Sequence, residues 1–192
     1  MGRPPTFDRQ QVLDAAVRVF WEKGYESASM ADLERGMGIG RASLYHAFGS
    51  KRELFAEVLR RYGEVLDRDL LAPLRRPGPA RRVLADFFRQ LVDARASGAE
   101  PCCLAIKSAV TTARADRETA RWVAEVSRAL EEAFFVLLER ARADGELAKG
   151  RNVRALARFF ASTVEGLAVT ASARRDRRVL QDVVRTALAT LD

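Results

Sequence analysis

The stretch Ser29-Met30-Ala31-Asp32-Leu33-Glu34-Arg35-Gly36-Met37-Gly38-Ile39-Gly40-Arg41-Ala42-Ser43-Leu44-Tyr45-His46-Ala47-Phe48-Gly49-Ser50-Lys51 decides the fold. Ser29 with an acid three positions later is a helix start. The hydroxyl can accept an orphan backbone N–H, and a carboxylate suits the positive end of the helix dipole. Leu33 is that helix's inward residue, and Gly36-Met37-Gly38 ends it. Ile39 is the expected buried peg of the turn, with Gly40 at the next cap. Gly40 to Phe48 reads as a second short helix, broken by Gly49. Ser50-Lys51-Arg52-Glu53 is a capping box that opens a long helix. Two short helices joined by a glycine-containing turn and propped by another helix make the helix-turn-helix pattern.

At about 100° per residue, Leu44 and Phe48 share one face of the second short helix. Ala42 and His46 point the opposite way, flanked by Ser43 and Tyr45. The exposed face is therefore small or hydrogen-bonding, as a helix in a major groove needs. Arg41, in the first turn, can reach a guanine edge or a phosphate. The free N–H groups of the helices starting at Ser29 and Ser50 favour phosphate, and Lys51 adds a cation beside one of them. The same residues also suit three packed helices with a solvated polar face, and this pattern alone does not decide between the two.

Upstream, Asp8 and Gln11 form another capping-box pattern, and Val12, Ala15, Ala16, Val19 and Phe20 recur at helical spacing as far as Gly24. A helix over 8–23 follows, behind a short proline-containing arm at 2–7. Downstream, Leu54, Phe55, Val58, Leu59, Tyr62, Val65 and Leu66 are the stripe of the long helix, whose region ends near Pro73, Pro77, Gly78 and Pro79. Five more helical stretches are expected at about 80–96, 102–114, 117–143, 153–173 and 176–191. No strand-like alternation competes, so the fold class is all-α with about nine helices.

The chain has 192 residues, 48% hydrophobic and 31% charged, enough for two compact units sharing a long helix. The net charge is +7, but residues 1–60 carry nine Lys/Arg against eight Asp/Glu, so a DNA argument rests on where particular cations sit. No uncharged apolar stretch approaches the roughly 18 residues of a membrane span. The N-terminus lacks the apolar core of a signal peptide, and a cytoplasmic protein is expected. His46 is the only histidine, and Cys102 and Cys103 are adjacent, without the spacing of a metal site or disulfide framework. No metal, cofactor or enzymatic activity is expected.

Residues 8–62 closely resemble the DNA-binding domain of the TetR/AcrR family of bacterial transcriptional regulators. The resemblance is carried by Val12-Leu13-Asp14-Ala15-Ala16, Phe20, Lys23-Gly24-Tyr25, Ser29-Met30-Ala31-Asp32-Leu33, Gly38-Ile39, Ser43-Leu44-Tyr45-His46-Ala47-Phe48, Ser50-Lys51 and Leu54-Phe55. It implies a homodimer whose N-terminal heads read a palindromic operator in double-stranded DNA. Residues 1–49 are then the DNA-binding domain, and 50–192 are the connecting helix with an effector-sensing and dimerisation domain. The positions of Arg41, Ala42, Ser43, Tyr45 and His46 contact bases and phosphates in that family. Those of Ser29, Met30 and Lys51 touch the backbone, and Arg3 in the arm can reach it. Gly40 departs from the family's usual Ser or Thr cap, at a cost of only a few tenths of a kcal/mol.

The resemblance also implies a four-helix dimer interface from the last two helices, with Phe159, Phe160, Gly166, Val183 and Leu188 as candidates; an intramolecular core is the alternative. Phe87, Phe88, Leu91, Ile106, Val110, Trp122, Phe134, Phe135 and Leu138 are candidates to line a cavity for an unknown hydrophobic small-molecule effector, or else they fill the core. Pro101-Cys102-Cys103-Leu104 resembles a Gly-Cys-Leu segment in one branch of the family, some of whose members sense electrophiles or oxidants through the cysteine matching Cys103. A thiol in a helix's first turn with Lys107 four residues on can have a lowered pKa; two inert buried cysteines are the alternative. The expected function is a repressor released by an effector or by thiol modification. Its rivals are a non-specific DNA binder, an all-α thiol enzyme, and an adaptor that has lost DNA binding.

Overall fold

The computed structural model describes residues 7–97 and 103–192. Among them are nine α-helices and no strand. They are α1 (Arg9–Lys23), α2 (Met30–Met37), α3 (Arg41–Phe48), α4 (Lys51–Leu66), α5 (Ala80–Ser97), α6 (Leu104–Thr111), α7 (Arg117–Ala143), α8 (Val153–Ala173) and α9 (Arg177–Ala189). The chain forms two compact units. One takes the described residues up to Val65 with Leu104–Val123; the other takes the described residues of Leu66–Cys103 with Ala124–Asp192.

In the first unit, local signals set the helix ends. Asp8 accepts the amides of Gln10 at 2.8 Å and Gln11 at 3.3 Å. Gly24, at φ 80°, closes α1 by donating to the Phe20 carbonyl. The glycine matters there because L side chains rarely adopt that backbone region. Ser29 and Asp32 form a reciprocal capping box on α2, and Ser50 and Glu53 form one on α4. Phe20, Leu33, Leu44, Leu54 and Val58 are fully buried, and Phe55 meets Phe20 edge-on at 5.0 Å. Each such side chain contributes about 1.5–3 kcal/mol of burial. Ile39, expected to be buried, is only half-buried.

The α4 region ends among the expected prolines, while the end of α6 shifts. After α4 the chain continues as a π turn (Asp67–Leu71) and a 3-10 turn (Ala72–Arg75), so helical backbone reaches past Pro73. Proline has no N–H to give, and the early position in a short turn asks for none. α6 stops at Thr111 because the amides of Thr112 and Ala113 both turn back to the Ser108 carbonyl.

The second unit is built on a cluster of aromatic rings. Phe134 lies 5.5 Å from Phe87, 6.1 Å from Phe88 and 5.7 Å from Phe160. Leu84, Leu137, Leu138 and Leu180 complete the centre. Here one cap is long-range: the Glu146 carboxylate accepts the amides of Ala80 and Arg81 at the start of α5. No helix among the described residues is long and apolar enough to cross a membrane.

Candidate nucleic-acid interface

The helical period that buries Leu44 and Phe48 turns Arg41, Ala42, Ser43, Tyr45 and His46 outward, and all five are exposed. Tyr45 is 43% exposed, with the Arg41 guanidinium 5.8 Å from its ring centroid. α3 is held from behind by a contact that the sequence did not reveal. The Arg9 guanidinium lies 4.7 Å over the Phe48 ring and donates to both carboxylate oxygens of Glu57 at 2.7 Å. One cation thereby ties α1, α3 and α4 together. Its partners are 39 and 48 positions away, beyond any local pattern.

Two helix starts flank this face. Ser29 donates its amide and hydroxyl to Asp32, whose own amide returns to the Ser29 hydroxyl. The Lys23 ammonium, bonded to Asp32, and then Ser29 hold that carboxyl well below the usual range. At α4 the Ser50 amide similarly holds Glu53 low. The first helical amides beyond these boxes, at Met30 and Lys51, are the positions suited to phosphate. Met30 is half-buried. The Lys51 ammonium sits 4.6 Å over the Tyr25 ring, 3.5 Å from the Glu26 carbonyl. The lysine is thus pre-positioned beside the helix start it would serve.

The other candidates are distributed unevenly. Phe87, Phe88, Leu91, Phe134 and Leu138 are buried in the second unit, packed on one another or on its core. Phe135 is half-buried there beneath the Arg154 guanidinium at 3.5 Å. Ile106 and Trp122 are half-buried in the first unit, and Val110 in the same unit is 70% exposed. Cys103 is buried; Cys102 and Arg3 lie outside the described residues. Lys107, a candidate to act on a thiol, donates its ammonium to the carbonyls of Trp21 and Glu22.

Phe160, a candidate for a dimer surface, is fully buried within its own unit, and Leu188 is half-buried against that core. Phe159, Gly166 and Val183 are exposed. Ala155, Ser162, Val169 and Ala173 are exposed as well, and with Phe159 and Gly166 they recur at three- and four-residue steps along α8. That stripe is visible in the sequence as a run of small and apolar residues at helical spacing. Choosing its face needed the structure.

Among the described residues no cluster of His, Cys, Asp and Glu is placed to hold a metal ion. Residues 12–58 match the family model described as bacterial regulatory proteins, tetR family. An uncharacterised HTH-type transcriptional regulator, YezE of Bacillus subtilis (strain 168), is 37% identical over 194 residues, covering 100% of both chains. The HTH-type transcriptional repressor ComR of Escherichia coli (strain K12) is 29% identical, over 97% of this chain and 90% of its own. A solved cysteine mutant of the TetR family transcriptional regulator CifR, complexed with 26-base-pair double-strand operator DNA, superposes with a TM-score of 0.89. It is 35% identical over 99% of this chain and 100% of that one. These relatives are regulators rather than enzymes, and with full-length identity at this level the chain belongs to the tetR family of bacterial helix-turn-helix transcriptional regulators.

Proposed function

We propose that this chain is a cytoplasmic, homodimeric repressor that reads a palindromic operator through α3 and is released by a small hydrophobic effector or by thiol modification. The observation that carries the reading is the outward face of α3. Arg41, Ala42, Ser43, Tyr45 and His46 are all exposed, flanked by two capped helix starts and a parked lysine. Residues 1–49 form the DNA-binding domain, Lys51 at the start of the connecting helix adds a phosphate contact, and the rest of 50–192 supplies sensing and dimerisation. The exposed α8 stripe with Phe159 and Val169, together with Val183 of α9, favours a two-fold apolar interface. Two copies of α3 then lie about 34–36 Å apart, in successive major grooves. Cys103 is buried just before the residues of α6, so an adduct on its sulfur needs its surroundings to open.

The test is a titration of purified protein onto the DNA flanking its own coding region and onto unrelated DNA, at two salt concentrations. A regulator prefers one short palindrome and keeps that preference at the higher salt. Equal binding to both DNAs that collapses with salt contradicts the reading and favours non-specific phosphate binding.

A further inference from the structure

The C-terminal carbonyls of a helix have no partners within the helix and must find donors elsewhere. In α1, the Phe20 carbonyl takes the Gly24 amide at 2.8 Å. The carbonyls of Trp21 and Glu22 are taken by one ammonium, Lys107 Nζ, at 3.0 and 2.7 Å. Lys107 belongs to α6, more than 80 residues further along the chain, yet it lies in the same compact unit as α1. Its aliphatic stem runs over Gly24: a Cβ built there would stand 3.6 Å from the lysine Cδ. The charge also sits at the negative end of the α1 dipole.

The same segment grips a second helix end. Asp116 accepts the Thr119 amide and hydroxyl with one carboxylate oxygen, and the other accepts Arg52 Nη2 at 3.0 Å. Arg52 is the second residue of α4. Residues 104–119 therefore hold the end of α1 and the start of α4, and α2 and α3 hang between those two points in the chain.

From this geometry we propose that Lys107 is a positioning residue for DNA binding. By closing the C-terminus of α1, it makes α6 a structural part of the DNA-reading head and sets how α3 is presented. It touches no DNA itself. The proposal rests on the reading of α3 as the operator-contacting helix. It gives Lys107 a role in the head.

The test uses the full-length protein. Wild type is used to enrich a short duplex from a random-sequence pool. Affinity for that duplex is then measured across a salt series for wild type, K107M, K107Q and K107R, each checked for an intact fold by circular dichroism. K107M should bind about tenfold more weakly, because a charged donor to two carbonyls is lost. The slope of log affinity against log salt should be unchanged, since no phosphate contact is removed. K107R should restore most of the affinity, and K107Q, which keeps N–H donors without the charge, should fall between. If K107M does not fold, the order wild type, K107R, K107Q carries the same test. Three results overturn the proposal: K107M and K107Q both within twofold of wild type, a K107R no better than K107Q, or a slope reduced by about 0.9, the signature of one lost phosphate contact. A wild type that enriches no duplex overturns the DNA reading on which the proposal rests, an outcome distinct from those three.

Discussion

The two compact units use the same element, the amphipathic helix, for opposite ends. In the first, the informative residues face outward: Arg41, Ser43, Tyr45 and His46 are exposed on a helix of only eight residues. In the second, they face inward, where Phe87, Phe88, Phe134 and Phe160 pack ring on ring, Phe134 stacked on Phe88 and Phe160 and edge-on to Phe87. The contrast separates two kinds of residue. Those that hold the fold are buried and fill space; those available for recognition are exposed on a face whose rear is pinned.

The contrast breaks most severely at the ring stack. Phe134→Ala should cost about 3–5 kcal/mol, read as a lowered melting temperature, because it leaves a cavity among three neighbouring rings. Next come the exposed residues of the head. Arg41→Ala should shift base preference by about 1–3 kcal/mol if it grips a base. Tyr45→Ala and Lys51→Ala should weaken binding to all sequences alike, and Lys51→Ala should also lower the salt slope by about one. None of the three should move the melting temperature by more than a mutation of about 0.5 kcal/mol does. A large loss of stability from any of them would erase the distinction between the units' surfaces and their cores.

Smaller effects sharpen the comparison. Glu146→Ala removes the long-range cap of α5 and should destabilise the second unit by about 0.5–2 kcal/mol, measured by urea unfolding. In the first unit the caps titrate. Asp32 and Glu53 are held below their ordinary range, so each contributes stability above its unfolded pKa and loses it as pH falls through the lower folded value. Helix content should therefore decline as the pH drops below about 4, and Asp32→Asn should flatten part of that acid limb in far-UV circular dichroism.

Sequence reading reached the head further than it reached the rest, for a physical reason. Its helix ends are set by residues three positions apart, such as Ser29 with Asp32 and Ser50 with Glu53, so the signal is local. The helical period of α3 fixes the exposed face directly. Arg9 on Phe48 and Glu57, Lys107 on α1 and Glu146 on α5 join residues about 40 to 90 positions apart, and no spacing rule encodes such pairs. Phe159 and Phe160 show the limit on α8. Both are apolar neighbours in a helix, but only the packing reveals that Phe160 is the core residue and Phe159 the exposed one.

The account turns on α3 entering the major groove. Footprinting of the bound operator by wild type and by Arg41→Ala tests this most directly. The account predicts two protected major-groove segments about one helical turn apart, with the protection or base preference changed by Arg41→Ala at those segments alone. Protection spread evenly along the duplex, indifferent to Arg41, would contradict it.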